Sequence, residues 1–482
     1  MQAERKEKLI LVAGATGYVG RHLIKALISA KYPVRCLVRR PETLQSYAAN
    51  MVEVIKGDVL EPKSLGPILQ DVHTAFYLVH SMSSEGNFAE NDRRAALNFV
   101  TAAKEAGVQR IIYLGGLGRE EDLSAHLASR QEVGRIFRNS GITSIEFRAS
   151  IIIGSGSLSF EMIRTLVEKL PLMITPRWVL NMAQPIVTED VIAYLREAIE
   201  IPIYESRVFE IGGPDRISYQ GIMKEYAWQR GLKRLMIPVP VLTPYLSSLW
   251  LGLVSPLYVR IGRTLIESIK NPTIVNDKSA LQFFSVRPCR VREAIKNTIE
   301  KEDRNIMNFR AADKFPDCPQ SLQHRTFQQY ARVFDVCFIS LPCSSDIAFK
   351  PIRRIGGKVG WYYANLLWQL RGLIDKLFGG VGMRRARRDA EHLREGDVLD
   401  FWRVEVYEPN HLLRLRAEMK LPGRAWLQFE VQPDTQGTSI YQTAIFDPLG
   451  LAGLLYWYGL YPIHQFIFKR MLKNVAKNSM DE

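Results

Sequence analysis

Leu9-Ile10-Leu11-Val12-Ala13-Gly14-Ala15-Thr16-Gly17-Tyr18-Val19-Gly20 is the stretch that decides the fold. An apolar strand enters it, and a helical pattern from Arg21 to Ala30 leaves it. The three glycines have separate uses: Gly14 permits a tight turn, Gly17 lets backbone approach a pyrophosphate, and Gly20 lets helix pack on strand. The turn amides and the helix N-terminus then face phosphate charge. A strand before and a helix after satisfy the structural condition for a dinucleotide-binding turn. Thr16, Tyr18 and Val19 complete the set of turn residues expected at the cofactor.

Working outward, Val34-Arg35-Cys36-Leu37-Val38 reads as the second strand, and Arg39-Arg40 follow where the adenosine ribose should lie. A carboxylate there would bind a ribose 2′-hydroxyl and favour NAD, whereas a guanidinium can pair with a 2′-phosphate. The first acid is Glu42, so NADP is favoured over NAD. Residues 52–58 read as the third strand, with Asp58 placed to meet the adenine and Val59 next to it. The fourth strand, 74–79, ends at Val79 and leads into His80-Ser81-Met82, which should border the nicotinamide. A helix over 88–106 and a strand over 110–114 continue an alternating series that predicts an α/β fold with a Rossmann-like, doubly wound parallel sheet.

These residues resemble the short-chain dehydrogenase/reductase superfamily, in its atypical, NmrA-like branch, over residues 8 to about 215. That branch includes reductases, redox-sensing regulators without turnover and an accessory subunit of respiratory complex I. Gln184-Pro185-Ile186-Val187-Thr188-Glu189-Asp190-Val191 looks like the segment that precedes a helix closing the substrate side, and Phe209-Glu210-Ile211-Gly212-Gly213-Pro214 like the late strand of extended forms. The resemblance implies a Tyr-x-x-x-Lys pair and a Ser after strand five as acid–base machinery. Here strand five ends Tyr113-Leu114-Gly115-Gly116, and the aligned helix reads His126-Leu127-Ala128-Ser129-Arg130, so all three family residues are missing. Two readings follow. His126, which titrates near neutrality in water, donates a proton while Arg130 orients the cofactor ribose. Alternatively, both belong to a solvated helix start and the pocket binds nucleotide without turnover. His80 and Ser81 are second candidates for catalysis.

The 482 residues imply two or three domains, and 47% hydrophobic with 24% charged residues describe globular protein. Cysteines 36, 289, 318, 337 and 343 are scattered, which points to neither a disulfide framework nor a metal site. The charged start, Met1 to Lys8, predicts no cleaved signal peptide and a cytoplasmic protein. Net charge is +14, densest at Arg384-Arg385-Ala386-Arg387-Arg388. That cluster is either simply solvated or meets an anionic membrane surface or ligand phosphates; no module for nucleic acid is evident.

The expected domains are 1–300 for nucleotide binding, with 151–300 forming its substrate side, a polar linker over 301–330, and a C-terminal domain over 331–482. In the last, 400–407, 411–419, 424–431 and 438–446 alternate at hairpin spacing and predict an antiparallel meander, followed by a long apolar helix after Pro448. Gly356–Asn365 and Asp400-Phe401-Trp402-Arg403 resemble the uncharacterised C-terminal domain fused to atypical dehydrogenase/reductases, itself similar to helix-grip (START and polyketide-cyclase) folds. The half is read either as a cavity for an apolar ligand or as a structural lobe. Residues 236–259 and 449–468 approach bilayer-spanning length, but Pro238, Pro240, Pro244 and Pro256 break the first. The second is read as a core helix, a surface-lying membrane contact or an inner-membrane anchor.

The expected function is an NADP(H)-dependent oxidoreductase acting on a hydrophobic carbonyl, lipid or quinone-like substrate. Its rivals are a non-redox NADP(H)-binding sensor or assembly factor, and a scaffold with an empty glycine turn.

Overall fold

The computed structural model describes residues 8–47, 51–80, 88–118, 123–239, 272–383, 387–434 and 437–481. Ser81, Met82, residues 240–259 and Arg384 to Ala386 lie outside the described residues. The chain divides into two compact units, 1–167 with 172–302, and 168–171 with 303–482.

In the first unit, β1 (Leu9–Ala13), β2 (Val34–Val38), β3 (Val52–Lys56), β4 (Val72–Tyr77), β5 (Arg110–Gly116), β6 (Thr143–Ala149) and β7 (Arg207–Ile211) form one sheet. Its order is β7-β6-β5-β4-β1-β2-β3 and every pairing is parallel. Parallel neighbours require crossovers, and α1 (Tyr18–Ser29), α2 (Pro62–Leu69), α3 (Phe88–Glu105) and α4 (Ala125–Arg138) supply four of them. The continuous apolar runs of the strands follow from burial on both faces. Ile10 and Val12 pack with Leu23, Ile24 and Leu27 of α1, whereas Leu11 and Ala13 pack with Leu65 of α2 and Phe99 of α3. The strand order reverses at β1, so a crevice opens beside its carboxyl end, where doubly wound sheets bind ligands.

The second unit is an antiparallel sheet of seven strands: β8 (Gln323–Gln329), β9 (Arg332–Leu341), β10 (Val398–Leu399), β11 (Trp402–Glu408), β12 (Leu412–Ala417), β13 (Gly423–Asp434) and β14 (Gly437–Pro448). The order is β8-β9-β14-β13-β12-β11-β10. The four expected strands are present, and three more accompany them. On one face Leu427, Phe429 and Val431 pack with Phe349 and with Met471, Leu472 and Val475 of the long helix Gly450–Met480. That helix contains Pro462, which cannot donate to the carbonyl of Tyr458. Before Pro462 it exposes Leu455 and Tyr458; beyond Pro462, Ile463 and Phe466 are exposed, whereas Ile467, Phe468, Met471, Leu472, Val475 and Ala476 are buried.

Residues 301–330 are not an irregular linker. They hold the end of a helix (Val291–Met307), a short helix (Ala311–Lys314) and edge strand β8. A buried polar set on the other sheet face binds this segment. Arg414 donates to the Met307 carbonyl at 2.7 Å, Gln428 to that of Phe309 at 3.1 Å, and Glu430 accepts the Ala311 amide at 2.8 Å.

Of the basic cluster, Arg387 donates to the carbonyls of Ile355, Arg353 and Asp389, and Arg388 pairs with Asp397 at 3.1 Å. Arg387 is therefore tied into its own domain, whereas Arg388 stays exposed in a surface ion pair. No helix among the described residues is long and apolar enough to cross a membrane, so residues 449–468 do not form a spanning anchor there.

Candidate functional site

The carboxyl ends of β1, β4, β5 and β6 line a cleft of about 280 Å³. Gly14, Gly17, Tyr18, Val19 and Gly20 form one wall, and His80, Leu114, Gly116, His126 and Arg130 another. The glycines are required sterically. Gly14 has φ +90°, and a Cβ there would sit 2.6 Å from the Leu78 carbonyl oxygen; at Gly20 it would lie 2.3 Å from that of Gly14. Gly17 caps α1 with extended backbone, and its amide donates to Gly14 at 3.0 Å. The Tyr18 hydroxyl meets Thr188 at 2.7 Å, so the 184–191 segment is anchored directly to the turn.

A second depression adjoins the first on the β2 side. It is lined by Thr16, Arg21, Arg39, Arg40 and Thr43. Arg21 Nε donates to the Thr16 carbonyl at 3.0 Å, and Thr43 Oγ1 to that of Arg40 at 2.7 Å, which fixes both loops that carry the cations. Arg39 and Arg40 were legible from sequence; Arg21 and Thr43 were missed. Asp58 stands after β3 and accepts the Leu60 amide at 3.0 Å, while the neighbouring Val59 is buried and its carbonyl accepts from Asn98 at 3.1 Å. Neither Asp58 nor Val59 lines the cleft.

The candidate catalytic residues need correction in two respects. Arg130 is not at a solvated helix start: it is 9% exposed, and its guanidinium donates to the carbonyls of Leu114 and of Val79, the latter at 3.3 Å. It thereby joins the ends of β4 and β5 and lies over the Tyr113 ring, 5.1 Å from its centroid. His126 is half-buried in the cleft wall, and burial, then the charge of Arg130, pushes its pKa down to about 4. It is therefore neutral at physiological pH rather than poised near neutrality. His80 is exposed at the rim of the same cleft. The absent serine also has a structural counterpart. A Cβ on Gly116 would lie 2.6 Å from Leu127 Cδ2, so leucine occupies the space a side chain would need.

Five further polar residues line the cleft: Ser150, Ser157, Ser159, Tyr219 and Thr273. Ser150 follows β6, Tyr219 begins the helix Tyr219–Gln229, and Thr273 is held by backbone bonds with Met182 and Gln184. Ser150 and Thr273 hydroxyls meet at 2.6 Å, and the buried Tyr219 phenol lines the same cleft. Burial pushes the Tyr219 pKa up to about 12, keeping the phenol protonated. Ser150, Tyr219 and Thr273 are 54 to 123 positions apart, so no local spacing announced them.

Comparison with known proteins agrees with this architecture. Residues 6–162 match the NmrA-like family, and residues 327–471 match a family described as "Protein of unknown function (DUF2867)". The chain is 26% identical over 235 residues to a ceramide reductase of Caulobacter vibrioides, covering 48% of this chain and 74% of that protein. It is 33% identical over 114 residues to an NAD(P)H azoreductase of Xenophilus azovorans, covering 24% and 37%. It is 25% identical over 211 residues to the photosystem II assembly factor Ycf39 of Trieres chinensis, covering 42% and 63%. The match thus spans less than two thirds of the azoreductase and of the assembly factor. A Citrobacter sp. triphenylmethane reductase, solved in complex with NADP(H), shares the fold of the first unit with a TM-score of 0.51 at 19% identity, over 60% of this chain and 99% of that one. Residues 6–162 are therefore an NmrA-like NAD(P)-binding domain, fused in this chain to a C-terminal DUF2867 domain.

Proposed function

We propose that the chain is an NADP(H)-dependent oxidoreductase acting on a hydrophobic carbonyl, lipid or quinone-like substrate. The observation that carries the cofactor choice is the grouping of Arg21, Arg39 and Arg40 with Thr16 and Thr43 beside the glycine turn. Three guanidiniums with no carboxylate in the depression fit a 2′-phosphate and disfavour a bare ribose hydroxyl. Gly14, Gly17, Gly20, Tyr18 and Val19 would hold the pyrophosphate side, Asp58 and Val59 the adenine, and Val79 and His80 would border the nicotinamide. The bound cofactor supplies hydride.

The proton comes from this chain's own groups. Tyr219 is a protonated phenol in the same cleft as the hydrogen-bonded hydroxyls of Thr273 and Ser150, and these groups stand in for the missing tyrosine and serine. His126, neutral, offers an imidazole hydrogen bond that polarises a substrate carbonyl instead of an acidic proton. The ceramide reductase among the relatives supports a lipid substrate. The exposed leucines of helix Asn365–Leu377, including Leu366 and Leu377, support contact with a membrane surface, and the sheet with its long helix supports a helix-grip-like second domain.

A second reading is a non-redox NADP(H) sensor or assembly factor. The Leu127 side chain lies where the family serine would stand, and Arg130 is engaged by main-chain carbonyls, which supports a site without the family machinery. An assembly factor is also among the relatives. The test is incubation of the purified protein with NADPH deuterated at the transferable carbon and a total lipid and quinone extract. Protein-dependent deuterium in an extract component, found by mass spectrometry, supports the reductase and names its substrate class. Tight NADPH binding without label leaves the sensor.

A further inference from the structure

The C-terminal domain contains a cavity of about 220 Å³ that the reading above does not use. It lies between the helices Asn365–Leu377 and Gly450–Met480 and the ends of β13 and β14. Its wall is aliphatic and aromatic, with Trp402, Trp457 and Phe468 deep inside and Leu367, Leu370 and Ile463 at an exposed rim. Two features set it apart from a packing defect. First, it exceeds the roughly 150 Å³ at which an apolar cavity already admits a benzene ring. Second, the indole N–H groups of Trp402 and Trp457 are buried in this wall with no hydrogen-bond acceptor among the described residues. The two side chains are 5% and 3% exposed. The Nδ1 atom of His464, on the same wall, is likewise buried without a partner.

An indole can only donate, and native proteins leave few buried donors without a partner. An aliphatic ligand would leave these donors orphaned; Arg371, the one cation among the described lining residues, already faces the Asp375 carboxylate at 4.0 Å and donates to the Lys420 carbonyl at 3.1 Å, so an anionic ligand would have to compete for it. We propose that this cavity binds an apolar lipid bearing a carbonyl oxygen, with the oxygen accepting from Trp402 and Trp457 and the hydrocarbon leaving past Leu367, Leu370 and Ile463. The site is separate from the nucleotide cleft and stands or falls independently of the reductase reading.

The test uses the full-length protein and the neutral fluorophore N-phenyl-1-naphthylamine, displaced by 2-decanone or by decane. Wild type should release the probe saturably with the ketone. Trp402→Phe and Trp457→Phe keep the aromatic bulk and remove one N–H each. Each should weaken 2-decanone about two- to twelvefold, the equivalent of the roughly 0.5–1.5 kcal/mol of one hydrogen bond, and leave decane within twofold. Leu460→Trp, which fills the cavity, should abolish both. Failure of 2-decanone to displace the probe from wild type overturns the proposal. So does equal weakening of ketone and alkane by the Trp→Phe variants, because the donors would then not be reading an oxygen.

Discussion

Removing the cations of the β2-side depression should convert NADPH preference into indifference. A 2′-phosphate carries about −1.5 to −2 charges at neutral pH. Arg21, Arg39 and Arg40 are all exposed, so water rather than protein screens them. At about 4 Å in water one unit pair is worth ~1 kcal/mol, which makes each arginine worth ~1–2 kcal/mol against such a phosphate. Each single Arg→Ala variant should therefore raise the NADPH dissociation constant about five- to thirtyfold. NADH lacks the phosphate, and its affinity should stay within about twofold for Arg39→Ala and Arg40→Ala, whereas Arg21→Ala also frees the Thr16 loop and weakens NADH to a lesser degree than NADPH. Arg21→Ala should be at least as costly as Arg40→Ala, because the bond from its Nε to Thr16 at 3.0 Å holds it in place beforehand. The assay is calorimetric titration of both nucleotides at about 0.05 and 0.15 M salt, with the NADPH advantage shrinking as salt rises. Equal loss of NADPH and NADH, or no loss of either, would refute the assignment of the 2′-phosphate to this depression.

Three other outcomes are expected. Gly20→Ala places a methyl against the Gly14 carbonyl at 2.3 Å, backbone against backbone; it should cost about 1–3 kcal/mol, lower the melting temperature and weaken both nucleotides, and an unchanged melt would contradict the packing. The folded-state pKa of His126 lies below its unfolded value of 6.5, at about 4. The stabilisation from keeping it neutral is thus complete above pH 6.5 and is lost as pH falls through 4; an NMR titration of His126 with a midpoint near 6.5 would contradict this. Gly116→Ser should not restore a catalytic serine, since Leu127 must first move; faster turnover in that variant would overturn the account of the missing residue.

Much of the first domain was legible because its information is local. The turn from Gly14 to Gly20 carries its own steric reasons, and β2 over Val34–Val38 reads directly from its apolar run. The rest depended on distance. Arg21 looked like an ordinary helix residue until the fold set it against Arg39 and Arg40, and nothing local links Ser150, Tyr219 and Thr273. In the second domain, β8 was hidden because an edge strand of sequence Gln-His-Arg-Thr-Phe-Gln-Gln has no fully buried residue and has the composition of a linker. β9 was hidden for the opposite reason: all but one of its residues are buried, so no alternation survives. The His126 pKa is not legible locally, because its value is set by burial and by Arg130, not by the imidazole itself.

Pro462 gives the helix Gly450–Met480 two unequal lives. Beyond it, Ile467, Phe468, Met471, Leu472, Val475 and Ala476 anchor the chain to the sheet, whereas before it few large side chains besides Trp457 are fully enclosed. Fraying of the first half therefore breaks few apolar contacts, and the bond lost at the proline has already uncoupled it from the second. Amide exchange should be fast before Pro462 and slow after it, in one continuous helix. The easily opened half also carries Tyr456, Trp457 and Leu460 of the cavity wall, so thermal opening could admit a guest without unfolding the sheet that holds it.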